Sequence, residues 1–440
     1  MKKVLIIAYY WPPSGSSAVQ RVVKFTKYLP KFGWQPIVLT VDNGQYNAID
    51  TTFEKELPES IKIYRVKSLE PHNIYKIFTG LKKREEVPVD AMMEKKPSWK
   101  KRIAFWFRIN MFIPDARIGW LPHAVKEGKK IIQDEKIDII FSTSPPPTVH
   151  LIAKKLARWS GLKWVADFRD PWTNIHYLKE LSRLSVSQRI DEKLERNVLN
   201  SADAIVAVSR YDIKNDYSTK VEDKDKIHYI PNGYDELDFQ QNIDPDFRLE
   251  KNEKFKIAHI GTVNDDRIPE YFFEALSRLK SEKLISPENF CLYLIGKVSD
   301  SAVQHLREMK VHDLVKVIPY LPHPEIFNYY SRMDALLLLT YKSPANIPGK
   351  TFEYLRTGKP ILMIGNKNGE AARVLKKIKI AKIADYDGRD EIYKHLKSIF
   401  SNGKKGRDEF ASGLTAVESF SRENLTGKLA KVFDQLITSK

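Results

Sequence analysis

A stretch in the last third of the chain combines residues that suit a ligand carrying both phosphates and hydroxyls. A turn at Gly349 is followed by a predicted helix that begins at Lys350 or Thr351 and ends at Gly358. Unpaired backbone N–H groups, the helix dipole and the Lys350 ammonium favour phosphate, while Glu353 can accept hydrogen bonds from a diol. Together these features indicate a nucleotide. An ordinary amphipathic helix with a solvated Lys and Glu explains the same residues, so the local pattern leaves both interpretations open.

The stretch also resembles a known signature. Residues Lys350 to Leu362, with Glu353 ahead of a Gly-Lys-Pro turn, look like the C-terminal motif of retaining GT-B glycosyltransferases of family four. In that family the second of two glutamates contacts the ribose of a nucleotide sugar, and Glu353 matches it. The first glutamate would fall on Ala345, so its role is not carried over. The resemblance implies that Lys350 is catalytic and that Gly349 and Thr351 bind the donor.

Length and composition restrict the class of protein. A chain of 440 residues with 42% hydrophobic residues predicts two globular domains. The single cysteine, Cys291, excludes an intrachain disulfide and favours a reducing compartment. A formal charge of +17 predicts an anionic partner, which charge alone does not identify. No apolar run approaches the roughly 20 residues of a membrane span, and the run at 4–11 is too short for a signal peptide.

The N-terminal pattern predicts a doubly wound fold. Val4 to Tyr10 is a continuous apolar run of strand length, and a loop containing Gly15 and Ser16 leads to a helix and a second strand. The full G-x-G-x-x-G series of a dinucleotide site is missing. In the resembled family this loop carries Gly-Gly near the acceptor and the donor phosphates. The resemblance therefore assigns Gly15 to the donor and Ser16 to the acceptor.

Charged residues follow the predicted strand that begins at Lys163. Asp167, Arg169, Asp170 and Trp172 stand at its carboxyl end, where open parallel sheets place their active sites. In the functional interpretation Asp170 meets an acceptor or sugar hydroxyl as a catalytic residue, and Trp172 forms a platform for a sugar ring. In the structural alternative Arg169 pairs with Asp167 and Trp172 packs under a loop.

Further family motifs occur in the expected order. The loop Ser142–Pro147 lacks the His that many members carry, and His150, which follows it, is either an acceptor contact or a structural residue. The segments Ala202–Ser209 and Ile230–Asp235 resemble the end of the family's N-terminal domain. Residues 42–130 contain no motif that can be matched.

One segment is basic and aromatic. Between Lys95 and Arg108 there are six basic residues and no acidic one, interleaved with aromatic side chains, and the apolar character continues to residue 113. Residues 95–113 therefore predict either contact with an anionic membrane surface or a helix packed on its domain with solvated lysines. Binding to nucleic acid is not expected.

The second half repeats the alternating pattern. Phe255 to Thr262 predicts the first strand of another doubly wound domain. In the resembled family an Arg and a Lys after this strand neutralise the departing diphosphate. Arg267 takes the Arg role as a catalytic residue, Gly261 and Thr262 bind the donor, and Lys297 or Lys350 supplies the second charge.

The fold class predicted is α/β: a GT-B fold of two Rossmann-like, doubly wound domains that face each other across a cleft. The N-terminal acceptor-binding domain covers 1–235, the nucleotide-sugar-binding domain covers 236–418, and a helix at 419–440 returns to the first domain. Closure of the domains would exclude water from the sugar.

The predicted activity is retaining, hexosyl-type glycosyl transfer from a nucleotide sugar to a cell-envelope, polysaccharide or lipid-linked acceptor. We expect no cofactor and no metal, since Asp223-Lys224-Asp225 and Asp244-Pro245-Asp246 lie in polar loops. The expected location is cytoplasmic, including the inner face of the cell membrane. The alternatives are a GT-B nucleotide-sugar epimerase, disfavoured because Ser142–Pro147 has no acid or His, and a non-catalytic membrane-associated scaffold.

Overall fold

The chain folds into two α/β units. The first comprises Met1–Pro231 and Leu425–Lys440, and the second comprises Asn232–Asn424. The sequence placed these divisions at 235 and 418. The computed structural model describes residues 1–15, 17–44, 46, 49–69, 99–175, 183–241, 243–249, 254–402 and 414–438.

The first unit is built on a parallel sheet of seven strands in the order β3-β2-β1-β4-β5-β6-β7. The strands are β1 (Lys2–Ala8), β2 (Trp34–Val41), β3 (Lys62–Val66), β4 (Ile139–Ser144), β5 (Lys163–Phe168), β6 (Ala204–Ala207) and β7 (Ile227–Tyr229). Its helices include Ser17–Tyr28, Trp99–Met111, Leu121–Glu135, Thr148–Ser160 and Ser185–Ser201, with short helical turns at Arg210–Asp212, Ile213–Tyr217 and Ser218–Lys220. The strand order changes direction between β1 and β4, which is where sheets of this type place ligands.

The second unit repeats this arrangement with six parallel strands in the order β10-β9-β8-β11-β12-β13. The strands are β8 (Phe255–Ile260), β9 (Phe290–Ile295), β10 (Val315–Ile318), β11 (Ala335–Leu339), β12 (Ile361–Ile364) and β13 (Ala381–Ala384). Its helices include Glu236–Gln241, Glu270–Ser281, Asp300–Glu308, His323–Arg332, Lys350–Thr357, Glu370–Lys376, Arg389–Asn402 and Leu414–Glu418. The change of direction here lies between β8 and β11.

Both sheets are buried on their two faces, because helices cover each side. In β1 the side chains of Leu5 and Ile7 join one apolar cluster, while Val4 and Ile6 join another on the opposite face. Continuous apolar strands of this kind are typical of parallel sheets. The predicted fold class of two doubly wound domains is therefore confirmed.

The last helix, Arg422–Thr438, begins in the second unit and continues into the first. Leu425, Leu429 and Phe433 are fully buried in the apolar cluster that contains Val4. A Cβ at Gly427 would lie 2.9 Å from a ring carbon of Phe32, so a larger residue here would displace that ring. This C-terminal helix is therefore part of the core of the first unit.

Candidate functional site

Two glycines shape the carboxyl edge of the second sheet, beside the change of direction. Gly261 follows β8 with a φ of +154°, and Gly296 follows β9 with a φ of +129°. A Cβ on Gly296 would lie 2.3 Å from the carbonyl oxygen of Gly261, so these two turns approach each other only without side chains. The backbone N–H of Val263 donates to the carbonyl of Lys297 at 2.8 Å, which joins the loops. The structure therefore brings Gly261, Thr262 and Lys297 together.

The helix Lys350–Thr357 is fixed to the same edge. The backbone N–H of Ile260, the last residue of β8, donates to the buried Tyr354 hydroxyl at 2.9 Å. The helix begins at Lys350, and Gly358 ends it in the left-handed conformation with a φ of 67°, as the sequence predicted. This anchor places the first turn of the helix at the carboxyl edge of the sheet.

Glu353 is the centre of a polar cluster in that first turn. Its Oε2 accepts hydrogen bonds from the Tyr330 hydroxyl at 2.7 Å and from the Lys350 ammonium at 2.8 Å. Its Oε1 lies 3.3 Å from Nε2 of His323. Burial raises the pKa of Glu353, but Lys350 and His323 outweigh it, and the net shift is downward. The carboxylate is therefore ionised and held by donors on two sides.

Arg267 lies on the loop after β8. Its guanidinium stands 4.0 Å from the ring centroid of Tyr341, in cation–π geometry. Its Nε is buried and has no hydrogen-bond partner among the described residues. Burial lowers the pKa of His259 to about 4, and the Arg267 charge acts in the same direction, so the guanidinium lies near the end of β8. Arg267 as a whole is only partly buried, so the residue retains surface that an anion can reach.

The remaining predicted donor residues have different exposures. Gly349 and Lys297 are exposed, and Thr262 is partly exposed, so all three are open to a ligand. Thr351 is fully buried, and its Oγ1 has no hydrogen-bond partner in the described part of the chain. The residue has no surface in this conformation, and its predicted contact with the donor stays a prediction.

The carboxyl edge of the first sheet is organised around a buried ion pair that the sequence did not reveal. Arg21 donates to both oxygens of Asp167, at 3.1 and 2.8 Å, and also to the carbonyls of Ile230 and Pro231. The Thr143 hydroxyl donates to the same carboxylate at 2.7 Å. Side-chain exposure is 1% for Arg21 and 0% for Asp167. This pair joins the first helix to β5 and the end of the unit.

Arg169 and Asp170 follow this pair. The guanidinium of Arg169 donates to the carbonyls of Ser144 and Pro145, and the charges of Asp167 and Asp170 act on it. Asp170 is exposed. Its predicted contact with a hydroxyl stays a prediction.

Two predicted acceptor contacts are core residues. Trp172 is 4% exposed and donates its indole N–H to Asp191 at 2.7 Å, so it offers no platform to a sugar. His150 is fully buried, lies 2.8 Å from the Ser142 hydroxyl and packs against Phe168. Burial lowers the pKa of His150 to about 3, which keeps the ring neutral. The acceptor roles predicted for Trp172 and His150 stay predictions, and in this conformation both side chains are buried.

The first loop is described in part. Gly15 is half-buried in the loop before the helix Ser17–Tyr28, and its predicted donor contact stays a prediction. The acceptor contact predicted for Ser16 lies outside the described residues.

The basic aromatic segment is described from Trp99 onward, where it forms the helix Trp99–Met111. Its exposed apolar side chains include Trp106 at 40%, Phe107 at 49% and Met111 at 63%. Residues 95–98 lie outside the described residues. Within the described residues no helix is both long enough and apolar enough to cross a bilayer.

Sequence reasoning missed His323, Tyr330 and Arg21. His323 and Tyr330 precede Glu353 by 30 and 23 residues, and no local pattern links them. Arg21 carried a weak signal, since it interrupts an apolar helical pattern at Val19, Val22 and Val23. A buried cation in such a helix requires a carboxylate partner.

Part of the chain matches a known protein family. Residues 74–236 match the family model described as Glycosyltransferase Family 4. The match includes residues 74–130, where the sequence contains no recognisable motif, and it ends before the C-terminal signature. No curated protein sequence matches the chain significantly.

Several solved structures share the whole fold. A glycosyltransferase from Rickettsia africae has a TM-score of 0.65 at 15% identity, covering 100% of this chain and 99% of that chain. HepE from Anabaena, in complex with UDP-glucose, has a TM-score of 0.61 at 13% identity, covering 99% and 100%. WaaG, a glycosyltransferase involved in lipopolysaccharide biosynthesis, has a TM-score of 0.57 at 11% identity, covering 98% and 99%. These likenesses confirm a two-domain GT-B fold.

Proposed function

We propose that the chain transfers a hexosyl group from a nucleotide sugar to a glycan or lipid-linked acceptor, with retention of anomeric configuration and without a metal ion. The observation that carries this proposal is the cluster at the carboxyl edge of the second sheet. There Lys350 and Glu353 begin a helix, Arg267 holds a buried unpaired N–H, and Gly261 opens the backbone.

The cations of this cluster suit a departing diphosphate. One N–H of the Lys350 ammonium binds Glu353, which leaves its other donors for phosphate oxygens. The guanidinium of Arg267 is oriented by its stacking on Tyr341 at 4.0 Å. Fixed donors aimed at charge that develops in the transition state are among the largest catalytic contributions. In this proposal the cations supply the stabilisation that a metal ion gives elsewhere.

Glu353 suits the nucleoside. Oε2 uses both of its lone pairs for Tyr330 and Lys350, whereas Oε1 uses one for His323 and keeps one that can accept a hydroxyl of a ribose. The low pKa keeps the group an acceptor at neutral pH. We assign the ribose contact to Glu353 on this basis.

The acceptor is proposed to belong to the cell envelope or to an exported polysaccharide. Support comes from the lipopolysaccharide pathway named for one structural neighbour and from the basic aromatic helix Trp99–Met111. The corresponding place of action is the cytoplasmic face of a membrane.

The activity is tested with a panel of UDP-, GDP-, ADP- and CDP-sugars, scored for slow hydrolysis without acceptor. With the active donor, Lys350→Ala and Arg267→Ala should each lower turnover by on the order of 100-fold or more, as expected for one transition-state donor. A loss below about threefold in both variants would show that the site is misplaced. The anomeric configuration of the product tests retention, and turnover after chelation tests the absence of a metal.

A matched control uses another cation of the second unit. Lys280 stands at the far end of the helix Glu270–Ser281 and pairs with Asp313 at 2.7 Å. Because the helix leaves the carboxyl edge of β8, its last turn lies toward the opposite edge. Lys280→Ala should therefore leave turnover unchanged.

The geometry gives little support to epimerisation. That reaction needs acid–base groups facing the sugar from the first unit, and the nearest histidine to the Ser142–Pro147 loop, His150, is neutral and buried. A scaffold without activity would be indicated if no nucleotide raised the thermal stability of the folded protein. Analysis of products then separates transfer from epimerisation.

A further inference from the structure

The first unit contains a polar cavity that the proposed donor site does not use. It has a volume of about 700 Å³ and lies between the turn after β5, the helix Ser185–Ser201 and the short helical turns at 210–220. Five cations and two carboxylates line it, so its surface is positive overall. A positive cavity selects an anionic ligand.

One wall carries a buried carboxylate that is only half satisfied. Asp216 is 3% exposed, and its Oδ1 accepts from the Lys220 ammonium at 2.6 Å and from the Asn174 amide at 3.2 Å. Its Oδ2 is buried without a hydrogen-bond partner among the described residues. Asp216 lies in the π-helical turn Ile213–Tyr217, a type of distortion that is frequent at functional sites. Burying an unpaired carboxylate oxygen is costly, so this atom requires a donor such as a hydroxyl.

A second carboxylate holds the wall in place. Glu195 is fully buried, and its Oε2 accepts from Lys220 at 2.8 Å and from the Thr173 hydroxyl. Lys220 therefore bridges Glu195 and Asp216, and its charge is used within the protein. The Arg183 charge is likewise used, in a pair with Asp191 at 2.9 Å.

Another part of the lining offers exposed cations. Arg189, Lys193 and Arg196 line the cavity from the helix Ser185–Ser201 and are exposed. Their spacing of four and three residues places them on one face of the helix. A phosphate on this wall and a hydroxyl on Asp216 describe a ligand with both groups.

An exposed apolar surface adjoins the cavity. Leu184, Val186 and Ile190 alternate in sequence with the cavity residues and are 43%, 59% and 47% exposed. The Leu184 N–H donates to the Asn110 side chain at 2.7 Å, which joins this surface to the end of the helix Trp99–Met111. That helix also carries the exposed side chains of Trp106, Phe107 and Met111. Aromatic and aliphatic side chains beside exposed cations are typical of surfaces that lie in a membrane interface.

We propose that this cavity is a second ligand site, which binds the phosphorylated, hydroxyl-bearing headgroup of a lipid while the adjoining apolar side chains lie in the bilayer that carries it. The further claim that this site holds the acceptor of glycosyl transfer rests on the proposed function. Binding of the headgroup does not rest on it, because binding requires no donor and is measured without one.

The test uses flotation of the full chain with vesicles of phosphatidylcholine alone or with an equal fraction of phosphatidylglycerol or phosphatidic acid. Phosphatidylglycerol carries both a phosphate and hydroxyls, whereas phosphatidic acid carries more charge and no hydroxyl. We expect the strongest binding to phosphatidylglycerol. Equal or stronger binding to phosphatidic acid would overturn headgroup recognition and leave charge attraction alone, and absence of binding to any vesicle would overturn the proposal entirely.

Variants separate the cavity from the apolar surface. Reversing both charges with Arg189→Glu and Lys193→Glu should weaken binding to phosphatidylglycerol vesicles by about tenfold or more, since each basic residue near an anionic surface contributes measurably. Both side chains are exposed, so folding should be unaffected. Asp216→Asn should remove the preference over phosphatidic acid. If the Asp216→Asn variant still prefers phosphatidylglycerol, Asp216 does not bind the headgroup hydroxyl.

The apolar surface has a matched control. Trp106→Ser should weaken binding, while Trp159→Ser should not, since Trp159 is similarly exposed at 42% but lies on the helix Thr148–Ser160. Equal losses in both would overturn the assignment of the surface. Soluble glucose 1-phosphate tests whether the ligand is a free sugar phosphate instead of a lipid headgroup. Release of the protein from vesicles by this compound supports headgroup recognition. Tighter binding of the compound than of vesicles would overturn the proposal that the ligand is a lipid. If vesicle binding persists in a chain that hydrolyses no nucleotide sugar, the proposed function fails and this site remains.

Discussion

The carboxyl edges of the two sheets carry similar charged residues in different states. In the first unit Asp167 and its partner Arg21 are 0% and 1% exposed, and their hydrogen bonds go to protein atoms. In the second unit Glu353 is nearly as buried, but its partner Lys350 has 24% of its side chain exposed. The first pair is closed and joins elements of the core. The second keeps one partner at the surface, where a ligand can reach it.

The two pairs show that a cluster of charges at a strand end does not by itself indicate a ligand site. The sequence indicated a ligand site at both clusters, through a helix start that suits phosphate at Lys350 and through charged residues at a strand end at Asp167. Only exposure of the partner distinguishes a structural pair from one that can bind a ligand. The comparison can be tested because each unit has its own probe: the chain's eight tryptophans all lie in the first unit, and its single cysteine, the buried Cys291, lies in the second.

The largest effect is expected from breaking the closed pair. Asp167→Asn leaves the Arg21 guanidinium buried without a counter-charge, and loss of one partner of a buried ion pair costs about 3–5 kcal/mol. We expect the free energy of unfolding of the first unit, measured from the tryptophan fluorescence transition in urea, to fall by this amount. The exposure of Cys291 to a thiol reagent should change less.

An exposed pair in the same unit is the control. Lys2 and Asp434 pair with 45% and 43% of their side chains exposed. Asp434→Asn should cost less than about 1 kcal/mol, as exposed pairs do. Similar costs for the two variants would contradict the distinction between the buried and exposed pairs.

The sequence predicted the parts of the fold that local patterns determine. The apolar runs Val4 to Tyr10 and Phe255 to Thr262 predicted strands, which are observed at Lys2–Ala8 and Phe255–Ile260. The helix Lys350–Thr357 was predicted from its capping glycine.

Contacts between distant residues could not be predicted in this way. Asp167 and Arg21 are 146 residues apart, so the pattern around Asp167 suggested the nearby Arg169 instead. Similarly, the residue types at Trp172 and His150 suit both a sugar site and a core. Burial decides between them, and burial depends on the packing of the whole unit.

The second-largest effect on stability is expected at Trp172. Trp172→Phe keeps most of the apolar volume but removes the indole N–H that Asp191 accepts, and a hydrogen bond to a charged group contributes about 1.5–3 kcal/mol. We expect this loss in the fluorescence transition, with no change in the KM for the acceptor. A raised KM without loss of stability would restore the sugar platform.

His150 predicts a dependence on pH that belongs to the first unit. Burial lowers its pKa from 6.5 to about 3, so below pH 6.5 the unfolded chain binds a proton that the folded chain does not. Stability is therefore fully present above pH 6.5 and is lost as pH falls toward 3, by about 2 kcal/mol between pH 7 and 5.

The histidine is tested by comparing unfolding at the two pH values. His150→Gln removes the titrating ring, so the fluorescence transition should depend less on pH than in the unmodified chain. Glutamine also offers a polar partner to Ser142. An unchanged pH dependence in the variant would mean that other groups cause the loss.

The smallest effect is expected at the open pair. Glu353→Gln keeps an oxygen for the Tyr330 hydroxyl and releases the Lys350 ammonium, which is already partly exposed and can turn to water. The cost should be about 1 kcal/mol, measured as the urea dependence of Cys291 labelling. Stabilisation of the second unit by the donor nucleotide should fall at the same time, because Glu353 is proposed to bind its ribose. A cost of about 3 kcal/mol or more with unchanged nucleotide binding would show that Glu353 is a closed structural residue like Asp167.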